Sequence, residues 1–202
     1  MTTLAIFSIL ILVMSVTIHE FAHGIAALWQ GDPTAKLAGR LTMNPIKHLD
    51  LVGSFIIPLI CVLLPGGLVL GWAKPVPVNP YNFRNRRFGE AIVSFAGPLS
   101  NIIIALILGL FLRFQAYNLN ENMIQLLIVA VLTNIVLAVF NLVPLPPLDG
   151  SKILYSIFPD SMGRFIQTIE KYGLILTFIF IFAFIQVLNP IIQLIFNLIV
   201  GG

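Results

Sequence analysis

The chain of 202 residues is 58% hydrophobic and only 9% charged, with a mean hydropathy of +1.01. Soluble domains carry roughly 25% charged residues, so a single water-soluble core is excluded and a polytopic membrane protein is expected. The pI near 9.2 does not point to nucleic acid, because the basic residues sit in loops flanking apolar segments, the pattern of the positive-inside rule. The lone Cys61 excludes an internal disulfide.

The first apolar stretch runs from Leu4 to Leu28. Met1–Thr3 carry no Lys or Arg and no small-residue cleavage site follows, so it reads as a retained helix, not a signal peptide. The second, Leu51–Leu70, is interrupted by Pro58, Pro65 and Gly66-Gly67. The third is Ala91–Leu112 and the fourth Met123–Val143. The last, Gly173–Val200, is broken by Asn189-Pro190 and reads as one tilted span or a span plus a short re-entrant piece. A helical crossing takes about 20 apolar residues, which the first, third and fourth stretches supply.

The second stretch has the length to span, but charge argues for re-entry. If it crosses, Lys and Arg divide 4 against 7 between the two sides; if it dips in and returns, 10 of 11 lie on one side, Arg113 excepted. The positive-inside rule favours the latter. Pro and Gly breaks fit a re-entrant segment buried in protein. The expectation is a multi-pass protein, in the cell membrane, with its N-terminus outside and loop 29–90 cytoplasmic.

Within the first helix stands His19-Glu20-Phe21-Ala22-His23. Histidines at i and i+4 share a helix face, so both imidazoles can reach one metal, and the Glu between them can approach a water on that metal without ligating it. Chance is a poor explanation, since ionisable residues within a span cost roughly 2.5–3.5 kcal/mol each on insertion scales and are functional by default. Catalytic zinc usually takes three protein ligands and leaves one position for water. His48, Glu90, Glu121 and Asp149 are the candidates for the third. His48 lies in a polar loop, Glu90 opens the third stretch, and Glu121 falls on the side predicted outside. Under the re-entrant topology the fourth helix returns Asp149 to the end where His19 lies. The structural alternative for Asp149-Gly150 is a turn whose Asp caps the next helix.

The run Asn141-Leu142-Val143-Pro144-Leu145-Pro146-Pro147-Leu148-Asp149-Gly150 resembles the NxxPxPxLDG signature of the site-2 proteases, intramembrane zinc metalloproteases. His19-Glu20-x-x-His23 is similar to their HExxH, and Gly97-Pro98-Leu99-Ser100-Asn101 to their GxxxN element. The three motifs occur in family order across residues 19–150. The resemblance implies one Zn2+ bound by His19, His23 and Asp149, with Glu20 as general base. It also implies a core of three helices, here the first, third and fourth stretches. The expected fold is therefore an all-α polytopic membrane protein. It has that three-helix catalytic core, a C-terminal hydrophobic helix or helices, and a re-entrant segment and short extended strand between the first two core helices. Residues 1–202 form one domain in this reading. Compared with larger members, no helix precedes the HExxH helix and no PDZ-like or CBS-like region is present.

Asn101, Asn134 and Asn141 are polar residues in or beside apolar helices. Each suits either an oxyanion or substrate contact or a tie between helices; for Asn134 the tie is favoured. In Gly71-Trp72-Ala73-Lys74-Pro75-Val76-Pro77-Val78-Asn79-Pro80, residues before proline are pushed to extended conformations. The prolines lack N–H groups on one edge, leaving the donors of Lys74, Val76 and Val78 on the other. Such an edge suits β-pairing with an unwound substrate, a role that the resemblance also implies; the alternative is an interfacial loop. Arg84, Arg86, Arg87 and the stretch from Asp32-Pro33 read as solvated loop, the Arg cluster being suited to anionic lipid heads.

The function expected is hydrolysis of a peptide bond in or near a transmembrane segment of a membrane-protein substrate. Two rivals are a non-proteolytic metal-binding membrane protein, such as a transporter, and a membrane zincin taking Glu170 as third ligand.

Overall fold

The computed structural model describes residues 2–50, 52–56, 73–85, 87–158 and 173–201. Helix α1 spans Thr2–Trp29, and a single turn, α2, spans Thr34–Leu37. After 3-10 turns at Pro45–His48 and Pro80–Asn82 come α3 (Gly89–Gln115) and α4 (Glu121–Asn141). A short α5 (Asp149–Ile157) and the long α6 (Gly173–Val200) complete the chain. Among the described residues, three helices are long and apolar enough to cross a membrane, at Leu4–Trp29, Gly89–Asn118 and Glu121–Asn141. No β-ladder forms among the described residues.

The surface is that of a protein whose solvent is lipid. Ile9, Ile107, Phe114 and Leu198 face outward, whereas Ser15, Thr17, His19, His23, Ser94, Asn101 and Asn134 are buried. Polar groups inside and large apolar groups outside reverse the pattern of a soluble core. They match helices held together in a bilayer by packing and interhelical hydrogen bonds.

Pairings fix the directions of the helices. His23 of α1 meets Val93 of α3, and Ser15 of α1 meets Asn101 of α3. A later residue on one helix pairs with an earlier one on the other, so α1 and α3 are antiparallel. The chain between Trp29 and Gly89 therefore leaves and returns at the same end of the bundle. Asn101 also meets Asn134, and α4 runs back antiparallel to α3, delivering Asn141 to the end where α1 finishes. The expected re-entrant segment falls largely on residues 57–72, outside the described residues, as do Arg86 and Glu170.

The last apolar stretch is one continuous helix despite Asn189-Pro190. A mid-helix proline removes one hydrogen bond, and in a span neighbouring groups can compensate. Ala105 of α3, Val131 and Ile135 of α4, and Ile192 and Ile199 of α6 form a common apolar core. Arg113, at the end of α3, donates to the carbonyl of Leu198 at 3.5 Å, a cation at a helix C-terminus. This places the ends of α3 and α6 together, opposite the end that holds Asp149.

Candidate metal centre

The positions of His19 and His23 follow from local geometry, one turn apart on α1. Their orientation comes from other helices. His19 Nδ1 lies 2.6 Å from Asn101 Oδ1, and His23 Nδ1 lies 2.7 Å from the carbonyl of Val93. A carbonyl only accepts, so both Nδ1 atoms carry the proton. The Asn101 amide is itself fixed, because its Nδ2 donates to Asn134 Oδ1 at 2.9 Å and to the carbonyl of Ser15 at 3.3 Å. Asn134 in turn donates to the carbonyl of Ala130. The chain of acceptors leaves one consistent assignment, and in the neutral rings each Nε2 presents a lone pair.

Asp149 Oδ2 sits 3.1 Å from His19 Nε2 and 3.2 Å from His23 Nε2. An anionic oxygen facing two imidazole lone pairs is repulsive unless a proton or a metal ion lies between them. In a tetrahedral zinc site with bonds of roughly 2.0–2.2 Å, ligand atoms stand about 3.3 Å apart. The donor set and its spacing thus fit zinc. Glu20 adjoins the same space, with one donor atom each from His19, Glu20 and His23 lying within 4.8 Å of one another. Its Oε2 accepts a hydrogen bond from the backbone N–H of Val76 at 2.8 Å.

Two glycines permit this convergence. A Cβ on Gly97 would stand 2.5 Å from Nε2 of both His19 and His23, so α3 offers bare backbone where the rings pass. A Cβ on Gly150 would stand 2.2 Å from the carbonyl oxygen of Leu142. Only glycine there lets the start of α5 fold back on the end of α4 and aim Asp149 at α1. Asp149 is the first residue of α5, following the N-cap Leu148, and its carboxylate is directed at the histidines.

The centre opens into a cavity of about 230 Å³ lined by His19, Glu20, His23, Val76, Val78, Asn141 and Asp149, with Glu90 and Lys152 also on its walls. Of the other candidate ligands, none joins the His19–His23–Asp149 convergence. His48 is buried with its Nε2 on the carbonyl of Thr42, Glu90 lines the cavity wall, and Glu121 begins α4 at the far end. Asn101 is fully buried behind His19, away from the cavity, whereas Asn141 lines it and donates to the carbonyl of Leu137. The N–H of Lys74 is taken by the carbonyl of His48 and that of Val76 by Glu20.

Asp32 departs from the expected solvated loop. It has no exposed surface and accepts hydrogen bonds from the N–H and hydroxyl of Thr34, the N–H of Asn79 at 2.7 Å and the amide of Asn82 at 2.8 Å. The short Thr34 turn folds the chain so that the carboxylate meets residues 79–82, nearly fifty positions on. Burial alone would raise its pKa, but these donors outweigh burial and hold it below the ordinary 3.8. A lowered folded pKa means that the stabilisation is complete above the ordinary value and fades as pH falls through the folded one. Asp32→Asn is expected to destabilise the detergent-solubilised protein by about 1–3 kcal/mol. Thermal unfolding should show the same deficit at pH 7 and pH 5, shrinking below about pH 4 as wild type loses its own charge.

Comparison with known proteins agrees with this centre. The family model described as "Peptidase family M50" matches residues 7–122 and 114–185. The chain is 41% identical over 175 residues to YwhC of Bacillus subtilis, covering 83% of this chain and 76% of that one. It is 31% identical over 166 residues to Rip2 of Mycolicibacterium smegmatis, covering 81% of this chain and 61% of that one. Both are named "Putative zinc metalloprotease". "Zinc metalloprotease MJ0392" of Methanocaldococcus jannaschii is 37% identical over 75 residues, 37% of this chain and 22% of that one. No solved structure gives a significant match. With apolar helices of spanning length and a His–His–Asp convergence beside a Glu, the chain belongs to peptidase family M50, the site-2 protease family of membrane-embedded zinc metalloproteases.

Proposed function

We propose that this protein hydrolyses a peptide bond in or near a transmembrane segment of membrane-protein substrates. His19, His23 and Asp149 hold one zinc ion, and Glu20 acts as general base. The observation that carries the reading is the approach of one Asp149 oxygen to both imidazole Nε2 atoms, with a Glu20 carboxylate beside them. Zinc, when bound, supplies Lewis-acid polarisation and acidifies water to a pKa of about 7. Glu20 accepts the proton of the attacking water and passes it to the leaving amine.

Asn101 orients His19 through Nδ1, a partner that fixes a ligand's tautomer and raises its basicity. Asn101→Ala is expected to weaken zinc binding roughly 10–100-fold, read by competition with a chromogenic chelator. Asn141, on the cavity wall, is placed to donate to the substrate carbonyl or its developing oxyanion. With the Lys74 and Val76 amides engaged internally, pairing of an unwound substrate along this edge falls to Val78. Substrate enters laterally from the bilayer and water from the end of the bundle that holds Asp149. In the positive-inside orientation, that end is cytoplasmic and the N-terminus is outside the cell membrane.

The test is metal analysis and cleavage of a membrane-spanning peptide by wild type and Asp149→Ala in detergent or nanodiscs. We expect one zinc per wild-type chain, and in the variant loss of both metal and activity. Full zinc in Asp149→Ala would sink the three-ligand centre.

A further inference from the structure

Glu20 stands beside the candidate metal centre on a side chain with three rotatable bonds, and a general base must be held in hydrogen-bond reach of the proton it takes. The group that meets its Oε2 is the backbone N–H of Val76, at 2.8 Å. That amide belongs to a segment, residues 73–79, with neither helix nor turn. Ordinarily such a segment would be a poor fixture.

Here it is anchored at both ends. Upstream, the N–H of Lys74 donates to the carbonyl of His48 at 2.8 Å, and Arg40 Nη2 donates to the carbonyl of Lys74 at 2.8 Å. Downstream, the N–H of Asn79 donates to Asp32. Arg40, His48 and Asp32 are all buried. Between the anchors, Pro75 and Pro77 fix their own φ angles and push Lys74 and Val76 to extended conformations. The Val76 side chain is buried, and its Cγ1 lies 3.4 Å from where a Cβ on Gly24 would stand. Gly24 is one turn from Glu20 on α1. Val76 therefore docks on one face of that helix, its side chain against Gly24 and its amide on Glu20.

We propose that the Val76 amide is the positioning group for Glu20 and that Asp32, Arg40 and His48 keep it in place. The contact engages one carboxylate oxygen and leaves the other for the proton. The inference rests on the protease reading above, with Glu20 as base.

The experiment uses the full chain, zinc-loaded, in nanodiscs with a membrane-spanning peptide. Val76→Pro deletes the N–H in a context already flanked by prolines; Val76→Ala keeps it. Positioning predicts that Val76→Pro lowers kcat about 10–100-fold, a share of the 10²–10⁴ that general-base catalysis contributes. KM should change less than about threefold and zinc content should not change. Val76→Ala should return kcat to within about threefold of wild type. A second arm needs no cleavage assay and leaves the Val76 segment intact. Amide hydrogen exchange at residue 76 should quicken at least about tenfold in Glu20→Ala at full zinc content, as a backbone hydrogen bond is lost. Wild-type kcat in Val76→Pro, or exchange at 76 that ignores residue 20, overturns the proposal. A zinc-loaded wild type that cleaves nothing while exchange stays coupled upholds the contact and overturns the protease reading instead.

Discussion

Glu20→Gln is expected to retain one zinc per chain and to lose cleavage by a factor of roughly 10²–10⁴, the usual contribution of a general base. Two features separate the effects. Metal retention is expected because the proposed centre takes its three ligands from His19, His23 and Asp149, whose Oδ2 lies 3.1 and 3.2 Å from the imidazole nitrogens, so Glu20 is not needed as a fourth. Loss of turnover follows because an amide cannot accept a proton at neutral pH, although its oxygen can still take the Val76 N–H and preserve the local backbone. Elemental analysis and a peptide-cleavage assay on the same preparation decide it. Zinc falling in step with activity would make Glu20 a ligand, while sustained cleavage would remove it as the base. The variant also discriminates against a transporter reading, in which metal handling needs no proton acceptor at this position.

Gly97→Ala should strip the metal while leaving the helices folded. In an ordinary helix interior the change stabilises by about 0.5–1 kcal/mol, so a general loss of fold is not its expected effect. At this position the added carbon would lie 2.5 Å from Nε2 of each histidine, closer than carbon and nitrogen can pack. The neighbouring atoms are the Nε2 ends of the two rings, and α3 is held against α1 by the buried Asn101 contacts to His19 and Ser15. The rings must swing away, and their lone pairs then cease to converge on Asp149. Zinc affinity is expected to fall at least about 100-fold, at or beyond the upper range for disturbing a partner that merely orients a ligand. Circular dichroism should report unchanged helix content. Full zinc occupancy in the variant would mean that α3 does not pass this close to the histidines.

Much of this could be read without coordinates because it is local or compositional. Apolar length sets the spans, and i, i+4 spacing puts His19 and His23 on one face of a helix. The sign and placement of Lys and Arg call for residues 29–90 to return to the side they leave, which the antiparallel α1 and α3 satisfy. Family motifs point to Asp149. The reading went astray where local signals compete with tertiary ones. Asp32-Pro33 has the composition of a solvated turn, yet the carboxylate is buried against residues 79–82. Asn189-Pro190, by contrast, left one helix or two open, and α6 runs through it as one.

The sequence by itself determined the solvent of this protein, the number of long apolar segments and the type of metal chemistry, since each depends on residue identity and short-range period. Only the tertiary structure decided which groups orient the two imidazoles, why position 97 must be bare backbone, and that the Val76 amide meets Glu20. Those contacts join residues between 56 and 82 positions apart in the chain. They form where antiparallel helices and an anchored loop cross, and no periodicity along the chain records such crossings.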